Sequence, residues 1–179
     1  MAPTRGDLER LAHKYRTLAA LRRDRQAGAP IPPGRFFKAL AGEFPGALHE
    51  LDTLPLETID DRAAALELAA GGGRVLPWMA WMHAYHRLMR AALRVKVRLA
   101  RARDVDDVRA AALAEEATAL AGAAFDAELV RAVARPPGGR IAPLILERVS
   151  LTFGVDPLEI ADALFPRLRR GPRAKPPAG

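Results

Sequence analysis

His83, Arg87, Arg90, Arg94, Arg98 and Arg101 recur at intervals of three and four residues, which on a helix places them within an arc of about 80°. No acid occurs between Arg74 and Asp104 to pair with them inside that helix. A row of guanidinium groups of this kind can follow successive phosphates without reading bases, so the chemistry it predicts is salt-sensitive, sequence-independent contact with nucleic acid. A plainer reading competes with it. The row is also the one solvated face left to a largely buried helix, its charge offset by the acidic segment that follows.

Three other constellations invite a chemical reading. The corner Gly154-Val155-Asp156-Pro157 has helix-turn-helix spacing, with Ser150 small where two helices would cross. Its second helix, however, offers Leu158, Glu159 and Asp162 and no Arg or Lys before Arg167, so it would repel the phosphates of a DNA groove, and an ordinary corner is expected. The cluster Trp78, Met79, Trp81, Met82, His83, Tyr85, His86 and Met89 has the residue types of a haem or aromatic-ligand pocket. Helical spacing explains it more simply as core, and a His pair three apart with no neighbouring acid is a weak metal signal. Glu115-Glu116 and Asp60-Asp61 are adjacent on helices and diverge by about 100°, while Asp106-Asp107 belongs to a helix start, so none makes an acid/base dyad. There is no Gly-x-Ser-x-Gly elbow and no phosphate loop, and Gly71-Gly72-Gly73 follows a helix rather than a strand. The reading assigns no catalytic residue, metal ligand or cofactor.

The elements that carry these residues read as helices throughout. Thr4 caps a first helix running to about Gln26, with Leu8, Leu11, Tyr15 and Leu18 on its inner face and Gly28 as a stop. Two short helices, 35–44 and 45–52, divide at Phe44-Pro45-Gly46, because proline disfavours helix in the residue before it. Another runs from about Pro55 to Ala70, with Ile59, Ala63 and Leu66 inside. The strongest pattern spans about 76–103. Trp78, Trp81, Tyr85, Leu88, Ala92, Val95 and Leu99 form one stripe and Met79, Met82, Met89 and Leu93 a second, an apolar arc too wide for a helix packed on one side. This helix is expected at the centre. An Ala-rich helix follows from Asp104 to about Ala134, and a last pair, 141–153 and 157–164, meets at the Gly154 corner, where Asp156 caps, Pro157 takes the first turn and Glu159 completes a capping box. Sustained period-two alternation is absent, so no sheet is expected.

Composition bounds the rest. At 179 residues the chain is expected to form one helical domain over 1–165, a compact all-α array of about seven helices, followed by a disordered basic tail over 166–179. Arg167, Arg169 and Arg170 in that tail join the tentative nucleic-acid contacts. The net charge of +7 alternates in sign along the chain, so neighbouring helices partly neutralise one another. Cysteine is absent, excluding disulfides, thiolate metal sites and cysteine nucleophiles. With no apolar leader and no membrane-length run, the reading points to the cytosol. The expectation is a non-enzymatic helical binding protein contacting nucleic acid weakly through Arg87, Arg90, Arg94, Arg98, Arg101 and the tail. The alternative is a protein-interaction or self-associating module with an apolar groove, and an enzyme or ligand carrier built on His83 and His86 stands third.

Overall fold

The computed structural model describes residues 2–100, 105–122, 124–135 and 141–165. They form α1 (Arg5–Gln26), α2 (Gly34–Glu43), α3 (Ala47–Thr53), α4 (Leu56–Ala70), α5 (Pro77–Leu99), α6 (Asp107–Ala121), α7 (Ala127–Ala134), α8 (Ile141–Phe153) and α9 (Pro157–Leu164). No strand occurs among the described residues. The tail expected over 166–179 and the last turn expected at 101–103 lie outside them.

Nine helices among the described residues slightly exceed the expected count of about seven, and an added break falls inside the Ala-rich segment. One helix was expected from 104 to 134, but Gly122 takes a positive φ of 78° and Asp126 begins α7 by accepting a hydrogen bond from Leu129 N at 2.9 Å. Alanine favours continuity, yet a glycine in that conformation followed by an N-cap overrides it. At the start of α1, Thr4 Oγ1 accepts from Asp7 N and the Asp7 carboxylate accepts from Thr4 N at 3.0 Å, a complete capping box. The Gly154 corner forms where expected, with Gly154 at φ 64° and Asp156 accepting from Leu158 N at 2.7 Å. Asp156 engages the second helical N–H rather than the third, and Glu159 makes no reciprocal bond there, so the expected capping box does not form.

Small side chains are buried in the two most closely associated helix pairs. α1 lies along α4, with Ala12, Ala19, Ala63 and Ala69 buried on these helices, and α5 packs on α6, with Ala91, Ala92, Ala110, Ala114 and Ala117 buried. α5 also touches α7, α8 and α9, which makes it the hub of the C-terminal helices. The first four helices meet this group differently. Along the seam between α1 and α5 the contacts run through long side chains, Lys14 and Tyr15 on one side and Met82 and His86 on the other. The apolar core is nonetheless one continuous cluster across that seam. No described helix is long and apolar enough to cross a membrane.

Candidate functional site

Two polar constellations occupy the seam. The first is buried. Glu50, on α3, accepts a 2.7 Å hydrogen bond from Lys14 Nζ at one carboxylate oxygen and a 2.7 Å bond from the Tyr15 hydroxyl at the other. Arg62, on α4, donates to the Tyr15 oxygen at 3.1 Å, stands 3.8 Å from the Glu50 carboxylate, and reaches across to the Ala163 carbonyl of α9 at 3.0 Å. Its guanidinium also lies over the Trp78 ring. Lys14 is fully buried, and burial pulls its ammonium pKa down against the opposing pull of Glu50. Burial and the Glu50 charge together hold the Tyr15 hydroxyl well above the ordinary phenol value, so it remains a donor. The Tyr85 hydroxyl is raised to about 12 by the same two causes.

None of these charged residues was singled out by sequence reasoning, although a signal existed. Lys14 falls three after Leu11 and four before Leu18, Glu50 three after Ala47 and four before Leu54, and Arg62 three after Ile59 and four before Leu66. Each occupies a core-stripe position, where a charge must be paired. His86, four after Met82 and three before Met89, follows the same rule. Its Nε2 lies 3.5 Å from Lys14 Nζ, and burial with the Lys14, Arg90 and His83 charges pushes its pKa well below the ordinary value. A neutral ring accepting at Nε2 carries its proton on Nδ1, and that atom is buried without a hydrogen-bond partner.

The second constellation opens to solvent. A groove of about 210 Å³ between α1, α5 and α6 is lined by Arg10, Arg87, Arg90 and Arg94, with Asp7 as its acid. A smaller cavity of about 20 Å³ shares Asp7, Arg10, Arg87 and Arg90 with it and is also lined by Glu43, His83 and His86. His83 Nε2 is buried without a hydrogen-bond partner, 3.7 Å from an Asp7 oxygen. Burial lowers its pKa, Asp7 opposes, and Arg87 and Arg90 add to the lowering. Burial also works to raise the Asp7 carboxyl, but its bonds to Thr4, with His83 and Arg87 nearby, leave it below the usual carboxylate value.

The helix-face arginines therefore have different fates. Arg87 is half-buried and donates from Nε to the Leu120 carbonyl at 2.9 Å. Arg98 is exposed and paired with Glu116 of α6 at 2.9 Å, so part of the row is offset by the acidic segment. Arg90 and Arg94 have neither a hydrogen bond nor an ion pair among the described residues. Arg10, which sequence reasoning did not select, joins them from α1 while pairing with Glu43 at 3.2 Å. Arg101, Arg167, Arg169 and Arg170 lie outside the described residues.

At the Gly154 corner, α9 buries Ile160 and Leu164 and exposes Leu158 and Glu159, the acid-bearing face the spacing implied. Met79, Trp81, Met82 and Met89 are core, and Trp78 borders an open apolar groove of about 340 Å³ with Ala65, Leu76 and Ala163. No cluster of three metal-ligating side chains occurs among the described residues. No family model matches the chain, and neither a curated protein nor a solved structure is significantly similar to it.

Proposed function

We infer that this chain is a non-enzymatic binding protein that contacts the phosphates of nucleic acid through the arginine face of α5. The observation that carries this reading is the crowding of Arg90. Arg10, Arg87 and Arg94 line the same groove as Arg90, which has no ion pair among the described residues; burial lowers its pKa, these three charges add to the lowering, and Glu43 opposes it. A phosphate entering the groove relieves that repulsion and releases counterions. Arg98, solvent-exposed and held by a weak surface ion pair, extends the face toward the C-terminal end of α5. Contact with phosphates alone gives no base preference, since readout needs donors and acceptors aimed into a groove.

A salt series with duplex and single-stranded oligonucleotides tests this. Three to four phosphate contacts give a plot of log affinity against log salt with a slope of about −3. Arg90→Glu, Arg94→Glu and Arg98→Glu together abolish binding. Absence of binding at low salt, or an affinity that survives the triple reversal, overturns the reading. A stable dimer by light scattering with no salt-dependent affinity favours the interaction-module reading instead, for which the Trp78 groove is the supporting feature.

A further inference from the structure

The groove does more than carry positive charge, because its shape and its unpaired atoms specify what kind of anion fits. Its open part is walled by four guanidiniums from two helices and by Asp7, whose Oδ2 already accepts from Thr4 N and from Thr4 Oγ1 at 2.7 Å. Each guanidinium offers a planar fork of donors that matches phosphate oxygens. Arg87 has spent its Nε on Leu120 and Arg10 one nitrogen on Glu43, but the donors of Arg90 and Arg94 are uncommitted among the described residues. The adjoining smaller cavity adds a second, independent observation. His83 and His86 are both more than nine-tenths buried, and His83 Nε2 and His86 Nδ1 lack any partner, although buried polar atoms are normally satisfied. The groove thus gathers surplus cations next to two buried ring nitrogens without partners.

The geometry points to a seat for a phosphomonoester dianion in this groove, held by Arg10, Arg87, Arg90 and Arg94. A carboxylate has two oxygens and one charge, too few for four converging forks, whereas a terminal phosphate presents three oxygens and nearly two charges. A backbone phosphodiester carries only one charge and is flanked on both sides by chain. The seat thus favours a strand end or a free phosphorylated small molecule, which share this chemistry. The inference deepens the nucleic-acid reading and rests on it only for the first of these sources.

Thermal unfolding of the full chain in inorganic phosphate, against chloride at matched ionic strength, tests the seat. About 10 mM phosphate raises the Tm of the wild type by about 3 °C for a site of millimolar affinity. The rise falls below about 1 °C in Arg90→Gln and in Arg94→Gln, two variants that remove no described contact. It persists in Arg16→Gln, which lies on α1 outside the groove and pairs with Glu67. General salt exclusion acts on all variants alike, so an equal rise in every one, or none in the wild type, overturns the seat. Matched oligonucleotides with and without a 5′-phosphate identify the source. A preference of about tenfold for the phosphorylated strand supports the seat as a strand-end reader. If neither strand binds while the Arg90-dependent rise persists, the seat stands for a small molecule and the nucleic-acid reading fails. If the strands bind equally and phosphate has no Arg90-dependent effect, the seat falls and the reading survives.

Discussion

The buried cluster around Glu50 and the groove around Arg90 lie on the same seam, with His86 bordering both, and they treat charge in opposite ways. In the cluster one carboxylate collects Lys14 and Tyr15, Arg62 stands within ion-pair reach, and the guanidinium's remaining donors find a hydroxyl and a backbone carbonyl. In the groove four guanidiniums face Asp7, which is already bonded to Thr4. Water explains the tolerance. A charge sealed away from solvent must be matched inside the fold, whereas cations on an open wall are solvated and can stay unmatched. The cluster therefore acts as a clamp, tying α1, α3, α4 and α9 around α5, while the groove leaves Arg90 and Arg94 without an ion pair among the described residues.

The contrast breaks most visibly at Glu50. Glu50→Ala leaves Lys14 and Arg62 buried without their counter-charge and costs about 3–5 kcal/mol in urea unfolding, enough to threaten the fold. Lys14→Met combined with Glu50→Leu restores the part of the loss that belongs to Lys14, because an apolar pair of similar volume removes both desolvation penalties, while Arg62 keeps only the Tyr15 hydroxyl and the Ala163 carbonyl. If the double variant is as unstable as the single, pairing is not what the cluster contributes, and its distinction from the groove disappears.

His86 offers a sharper probe, since it touches both regions. His83 and His86 have folded pKa values below the ordinary 6.5. Between 6.5 and those lower values the unfolded chain binds protons that the folded rings refuse, so stability falls as the pH falls through this window and is insensitive to these groups above it. Each unit of depression is worth about 1.4 kcal/mol. Denaturant midpoints measured between pH 7.5 and pH 5 should therefore decline, and His86→Phe should flatten the decline while His83 preserves a remainder. Asp7 and Asp126, whose pKa values lie below 3.8, lose their contributions only at lower pH and do not confuse the window. A flat wild-type profile would mean that both rings titrate freely.

Local chemistry explains why the helices could be read from the sequence and the site only in part. Thr4, the prolines at 45, 77 and 157, and the glycines at 71 to 73 and 154 act within a turn of themselves, so the helix starts and stops they set need no tertiary information. Gly122 is equally local, but a lone glycine among alanines does not by itself announce a positive φ, so the break it makes is not read from the spacing. The α5 arginine row was legible because its periodicity belongs to one helix. Arg10 and Glu43 reach the groove from α1 and α2, and no spacing within one segment announces that they meet Arg90. Glu50 lies 36 residues from Lys14, so a pair across that separation is visible only as charges in core stripes that require partners of unspecified identity.

The smallest effects decide whether the groove is a reserve of charge or a structural feature. Arg90→Gln and Arg94→Gln should change unfolding free energy by no more than about 0.5 kcal/mol, the range of surface substitutions, and relief of like-charge crowding acts in the stabilising direction. Arg98→Ala breaks an ion pair whose members are 63% and 48% exposed, so its cost stays within about 0.2–1 kcal/mol and shrinks further with salt. In oligonucleotide binding the order reverses. Each lost phosphate contact lowers the magnitude of the salt slope by about 1, and Arg90 and Arg94 should matter at least as much as Arg98, which must first release Glu116. Stability that depends on Arg90 while affinity depends only on Arg98 would turn the comparison around. The groove would then be a second internal cluster with its partner yet to be located, and only the outer edge of α5 would remain for a polyanion.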